Sequence, residues 1–234
     1  KKVYVTLLNE RFVLAGLESS LYKWMQEKTG KYKFFFAQRN ERPTDSNRNH
    51  IVADFRETDY DYLAMFDSDN FPLKNPFELL DHDKDVIGGT YFGWGENGLR
   101  FHVYKAINLY KADNTSDKAG FYQYPPEVRS GLMKVDAVAS GCMVIKRNVL
   151  EKIRTPFSYI YDPLYGRLKM SDDTAFCHRC NLAGIEIWVD WDMVVSHFKT
   201  VDLLQVASLI IEASKTGVPK LSLKNMVKYN HESK

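Results

Sequence analysis

The pattern that most constrains this chain is the alternation of short apolar runs with segments of helical spacing. Residues 3–8 form a mostly apolar run that reads as a buried strand. Val13, Leu14, Leu17, Leu21, Trp24 and Met25 then recur at intervals suited to one helix face, and Gly30 follows as a stop signal. Residues 33–37 read as a second strand. Asp45 or Ser46 can cap a helix that runs through Ile51, Val52 and Phe55. A third strand, 62–66, ends in Asp67-Ser68-Asp69. Asn75-Pro76 opens a short helix, and 86–89 is a fourth strand. This order predicts an α/β fold: a mostly parallel, Rossmann-like central sheet flanked by helices.

The regularity fades over 91–126, where Tyr91, Phe92, Trp94, Phe101, Tyr104, Tyr110, Phe121, Tyr122 and Tyr124 crowd together. A connection this long is functional or builds a small additional antiparallel sheet of its own. Residues 135–145 read as two strand pieces broken by Ser140-Gly141. Helices are expected near 149–153, 172–182 and 203–213, and a strand at 185–189. With 234 residues, the expectation is one domain over 1–200 and a helical extension over 201–234. Its nucleotide-binding half would be about 1–90 and its acceptor-binding half about 91–200.

Charge narrows the function classes. The 32 basic and 30 acidic residues leave a net charge of only +2, with no basic stripe, so no nucleic-acid partner is expected. Lys220, Lys224 and Lys228 read as a solvated face. No apolar run is long enough to be a transmembrane segment. The chain opens Lys1-Lys2-Val3 without a leader pattern, although further residues can precede Lys1. Cys142, Cys177 and Cys180 are too few for a disulfide framework and fit a reducing, cytoplasmic compartment. Cys177 and Cys180 lack the second ligand pair that a structural zinc requires and read as thiols one helical turn apart.

The chemistry is concentrated at three points. Asp67 and Asp69 sit where a strand ends, the side of an open α/β sheet where ligands bind. Two carboxylates held close need a balancing cation. Mg²⁺ or Mn²⁺ would supply it and would neutralise a diphosphate as well. Ser171-Asp172-Asp173 opens a later helix, and His197 falls just after the next strand. Each has a plain structural reading, as a polar turn, a helix cap or a packed histidine. Their order along one chain carries more than any of them alone.

That order resembles the GT-A nucleotide-sugar glycosyltransferases, family 2-like members in particular. Asp61-Tyr62-Leu63-Ala64-Met65-Phe66-Asp67-Ser68-Asp69 resembles the strand leading into the family's DxD motif. Asn47-Arg48-Asn49 is similar to the Arg-Asn of the preceding helix. Ala139-Ser140-Gly141-Cys142-Met143-Val144-Ile145 is similar to its Gly-Cys stretch, and Ser171-Asp172-Asp173-Thr174-Ala175-Phe176 to its Glu-Asp motif. The likeness covers most of 1–200. Two departures stand out: Asp172-Asp173 replaces Glu-Asp, and the first strand ends in Thr6-Leu7-Leu8-Asn9 without the family's proline.

The resemblance implies sugar transfer from a nucleotide diphosphate, UDP by default, to the hydroxyl of a glycan or other acceptor. It implies Asp69 and His197 as metal ligands, with Asp67 on the ribose or completing the metal shell. Asp173 would be the base of an inverting displacement, with Asp172 the alternative. Thr6, Arg39, Arg48, Asp67 and Ser68 would face the nucleotide sugar, and Tyr91, Trp94 and Gly141 the acceptor. Two other readings fit the same pattern. One is a nucleotidyltransferase of related fold, although 7–11 lacks the glycines of a triphosphate loop. The other is a carbohydrate-binding module without catalysis.

Overall fold

The computed structural model describes residues 1–8, 12–95, 98–107, 120–124 and 129–200; the side chains of 94, 95, 98, 99 and 107 lie outside that description. The first half alternates as its apolar pattern predicts. β1 (Lys2–Leu8), α1 (Leu17–Glu27), β2 (Lys33–Arg39), α2 (Thr44–Arg56) and β3 (Tyr62–Asp67) follow in order. Then come a short β4 (Asn70–Pro72), a 3-10 helix over Pro76–His82 and β5 (Val86–Thr90). The Asn75 side chain accepts from the Phe77 amide at 3.0 Å, which fixes the start of the 3-10 helix.

The second half is built from shorter pieces: β6 (Phe92–Gly95), β7 (Gly98–Phe101), β8 (Val103–Ile107), β9 (Gly120–Gln123), β10 (Leu132–Val135) and β11 (Ala137–Val138). β12 (Cys142–Lys146) and α3 (Arg147–Lys152) follow, then the hairpin of β13 (Ile160–Tyr161) and β14 (Leu168–Met170). The described elements end with α4 (Asp172–Leu182) and β15 (Ile187–His197).

The central sheet runs β10-β15-β5-β12-β3-β1-β2, with β4 paired to the far end of β15. β1, β2, β3, β5 and β15 share one direction; β12 enters between β3 and β5 against it, and β10 lies antiparallel on the edge. Both faces are covered. On one, Leu17, Leu21 and Met25 of α1 pack with Phe66, Phe77 and Leu79. On the other, Ile51, Val52 and Phe55 of α2 pack with Leu150 of α3 and Phe176 of α4. The aromatic 91–126 segment supplies a two-stranded β6-β7 sheet and, with β11, a three-stranded β11-β8-β9 sheet.

Four local expectations shift. The helix expected from Val13 begins at Leu17, because Gly16 takes a left-handed φ of 80° and breaks the run. α2 starts at Thr44, ahead of Asp45 and Ser46, behind Pro43. The strand expected at 185–189 runs on to His197, so this histidine ends the strand and does not follow it. The apolar stretch 135–145 contributes the end of β10, β11 and β12, three pieces where two were expected. The chain divides into a unit over Lys1–His197 and another over Phe198–Lys234. The helix expected at 203–213 lies outside the described residues. Among the described residues, no helix is long and apolar enough to cross a membrane.

Candidate active site

The buried run of β3 gives way to polar side chains at Asp67, and the two aspartates of the turn diverge. Asp67 receives Arg48 Nη2 at 3.0 Å on both carboxylate oxygens. Arg48 comes from the first turns of α2 and is almost fully buried, and its Nη1 donates to Asp172 at the start of α4. One guanidinium thus ties β3, α2 and α4 together across the carboxyl end of the sheet. Burial alone would weaken its charge, but Asp67, Asp172 and Asp173 outweigh that and hold it firmly protonated.

Asp69 faces the other way, with Oδ2 3.6 Å from His197 Nε2. This meeting comes from strand register. β15 pairs with β5 through Val189, slips, and rejoins at Val194. It then leaves to pair with β4, where His197 stands opposite Asn70, the residue after Asp69. Irregularities of this kind re-aim a strand end. His197 Nδ1 lies 2.8 Å from the carbonyl oxygen of Phe92, which can only accept, so Nδ1 carries the proton. The other ring nitrogen, Nε2, is then the one that faces the Asp69 carboxylate. A backbone-anchored imidazole beside a carboxylate is one arrangement that could hold a divalent ion. Asn70 is buried beside them with neither amide atom partnered, a further oxygen or nitrogen at hand. Among the described residues, no three His, Cys, Asp or Glu side chains form a ready cage. The donor set therefore suits an ion that takes its other oxygens from substrate and water.

Asp173 sits in the first turn of α4 beside the helix's positive end. Ser171 occupies the cap position, but its hydroxyl turns to Asp173 Oδ1 and lies 2.9 Å from Thr174 Oγ1. The Thr174 amide donates to Asp173 Oδ1 at 2.8 Å. Burial and then the Asp172 charge raise the Asp173 pKa above the ordinary 3.8, and these outweigh the pull of Arg48, Ser171 and the Thr174 amide. Asp67 is raised too, by burial and then by Asp69 and Asp172, against Arg48.

The other expected residues are placed as follows. Thr6 is buried mid-strand in β1 with its hydroxyl unpartnered. Ser68 donates its amide to the Leu8 carbonyl at 2.9 Å, which holds the turn against β1. Arg39 is committed to Asp54, with Nε at 2.8 Å, and to Glu41 at 2.6 Å, and no hydrogen bond joins it to the carboxylate cluster. Tyr91 is buried, its hydroxyl receives the Gly141 amide at 3.1 Å, and its ring packs 5.1 Å from that of His197. It braces the site from behind and does not form an open wall. The Gly141 carbonyl takes the Asp67 amide at 3.1 Å. The Trp94 side chain lies outside the described residues. All three cysteines are buried and free, and burial pushes Cys142 and Cys180 up to about 12, so neither is a nucleophile at neutral pH.

Sequence reading did not single out Asn70 or His102. His102 Nδ1 lies 2.9 Å from the Tyr104 hydroxyl, and its ring centroid is 5.7 Å from that of His197. Asn70 had one signal, its place directly after the DxD triplet.

No family model and no curated protein matches this chain. Among solved structures, it is similar to A197 from STIV, at 18% identity and a TM-score of 0.56, over 86% of this chain and 87% of that one. It also aligns with the nucleoside-diphosphate-sugar pyrophosphorylase from Vibrio cholerae RC9, at 11% identity and a TM-score of 0.40, over 84% and 73%. What the chain has in common with A197 is the fold: a mostly parallel central sheet flanked by helices, with small antiparallel sheets beside it.

Proposed function

We propose that this protein transfers a sugar from a nucleoside diphosphate to an acceptor hydroxyl, with Asp173 as the base and a divalent metal at Asp69 and His197. The observation that carries this reading is the meeting, at the carboxyl end of one sheet, of a metal-suited pair with a carboxylate of raised pKa. Asp69 and His197 face each other at 3.6 Å. Arg48 joins the Asp67 of the same turn to Asp172, and Asp173 is the next residue.

Mn²⁺ or Mg²⁺ bound there would neutralise the diphosphate as it leaves. Asp67 has a quarter of its side chain open and stands between Arg48 and the Asp69 turn, which suits it to the donor ribose. Asp173 takes the proton from the acceptor hydroxyl as that oxygen attacks the anomeric carbon. A raised pKa strengthens a carboxylate base so long as it stays ionised at working pH. Asp172 is the weaker candidate because its carboxylate is buried and bound to Arg48. A single displacement from the face opposite the leaving group inverts the anomeric carbon. UDP is the first base to test.

The test is calorimetric titration of UDP- and GDP-sugars with Mn²⁺ and with EDTA, beside Asp69→Ala. Binding of one nucleotide family that needs Mn²⁺ and is lost in Asp69→Ala is the expected result. Tight binding indifferent to EDTA removes the metal role of Asp69 and His197. No binding of any nucleotide sugar overturns the transferase reading.

A further inference from the structure

A cavity of about 340 Å³ opens among Tyr104 of β8, Gly120, Phe121 and Gln123 of β9, Lys169 and Met170 of β14, and Ser171 and Thr174 at the start of α4. Every one of these residues comes from β8 or a later element, and none from α2 or β3, which place Arg48 and the DxD turn. The cavity adjoins Asp173 on two sides. Ser171 and Thr174 hold that carboxylate, and its charge helps raise the Tyr104 phenol, which burial already pushes well above its usual range. Tyr104 therefore stays a neutral hydroxyl at working pH, with His102 Nδ1 2.9 Å away and Gln123 Nε2 at 3.5 Å.

The wall chemistry is selective. Hydroxyls of Tyr104, Ser171 and Thr174 and the amide of Gln123 offer donors and acceptors, while Phe121 and Met170 give apolar surface. That mixture suits a polyhydroxylated ring, whose C–H face packs on apolar side chains while its hydroxyls are bonded at the edge. The volume is at the lower end of small-molecule pockets, room for about one ring. Lys169 is the one charged residue lining it, and no ion pair engages this lysine among the described residues. The nearby acids are otherwise engaged, Asp172 with Arg48 and Asp173 with Ser171 and the Thr174 amide. Among the described residues that line it, the pocket thus presents one positive charge, with the Asp173 carboxylate set behind Ser171 and Thr174.

We infer that this cavity holds the acceptor, and that the acceptor is a single sugar ring carrying an anionic group, a carboxylate or a phosphate, which pairs with Lys169. The word acceptor rests on the transferase reading above; the ligand chemistry rests on the cavity itself.

The experiment measures dissociation constants for methyl glucoside, methyl glucuronide and glucose 6-phosphate. Each is titrated into the whole protein with and without UDP and Mn²⁺, for the wild type and for Lys169→Gln. Lys169 is exposed, so its pairing is worth roughly a fivefold preference for the better acidic sugar over the neutral one. Lys169→Gln should abolish that preference and leave methyl glucoside unchanged. Whichever acid gains more identifies carboxylate or phosphate as the group recognised. Equal binding of all three sugars, a preference that survives in Lys169→Gln, or no sugar binding at all would overturn the inference. Donor binding without sugar binding would overturn the pocket and keep the transferase. Sugar binding that tracks Lys169 without donor binding would keep the anionic-sugar pocket and overturn the transferase.

Discussion

Arg48 shows what a single residue holds in place. Its guanidinium is buried between Asp67 and Asp172 and lies 6.0 Å above the ring of Phe157. Removing it would strip its ion-pair partner from the buried Asp172 and from the partly open Asp67. Arg48→Met should cost about 3–5 kcal/mol, read by urea denaturation at neutral pH, because an orphaned buried charge loses far more than the pair gained. Asp173 carries the opposite prediction. Its pKa is raised in the fold, so the folded state binds a proton more readily than the unfolded one. Stability therefore falls as pH rises from the ordinary 3.8 through the raised value, and the destabilisation is complete above it. Asp173→Asn should accordingly raise the melting temperature at pH 7.5, and this gain should shrink as the pH falls through that window. On the proposed role of Asp173 as base, transfer should drop by about 10² or more in the same variant. A variant no more stable at pH 7.5 than the wild type would mean that Asp173 is not held ionised at a cost. In the wild type, the acid limb of the rate profile should lie above the pH at which a solvated aspartate titrates.

At the scale of elements, the site depends on how β3, β4, β12 and β15 meet. Gly141, just before β12, leaves room for the ends of the Asn70 and Tyr91 side chains, which a larger residue would displace. A Cβ there would stand 1.8 Å from Asn70 Nδ2 and 2.8 Å from the Tyr91 hydroxyl. Gly141→Ala should cost about 1–3 kcal/mol. It should also weaken Mn²⁺-dependent donor binding, because Asn70 is the neighbour of Asp69 and pairs with His197. Unchanged donor affinity in a folded variant would separate Gly141 from the site. The same elements show what could be read in advance. The end of β3 was legible because an apolar run stops abruptly at Asp67, and α4 because Ser171-Asp172-Asp173 opens a helical segment. The Arg48–Asp172 tie, 124 positions apart, was not legible, since no local pattern encodes which long-range partner a buried arginine finds. The His197–Asn70 register was hidden too, because it follows from the slip in β15 after Val189. Tyr91 was expected to face the acceptor, and its burial was hidden for the same reason: it depends on His102, His197 and Gly141 arriving from three different segments.

For the molecule as a whole, the sheet separates two cores with different duties. The core holding Leu21 and Phe77 supports the face under α1. The core holding Phe157 and Phe176 lies beneath α4, which carries Asp172 and Asp173. The rings of Phe157 and Phe176 meet tilted, with centroids 4.7 Å apart, and the Asn49 side chain, one residue from Arg48, accepts from the Phe157 amide at 3.0 Å. Truncating either core leaves a cavity and should cost about 3–4 kcal/mol, whether by Leu21→Ala or by Phe176→Ala. The two residues belong to separate clusters on opposite faces, so the double variant should lose the sum within about 0.5 kcal/mol. Activity should not follow the same rule. At a temperature where both single variants remain folded, Leu21→Ala should keep its turnover near wild type. On the proposed role of Asp173 as base, Phe176→Ala should lose turnover disproportionately, because α4 then settles into the vacated space and carries Asp173 with it. Stopped-flow turnover at matched folded fraction, with donor saturating, reads this directly. Equal turnover in the two variants would show that the α4 carboxylates are positioned by Arg48 and Ser171 alone and that the core beneath them only stabilises the fold.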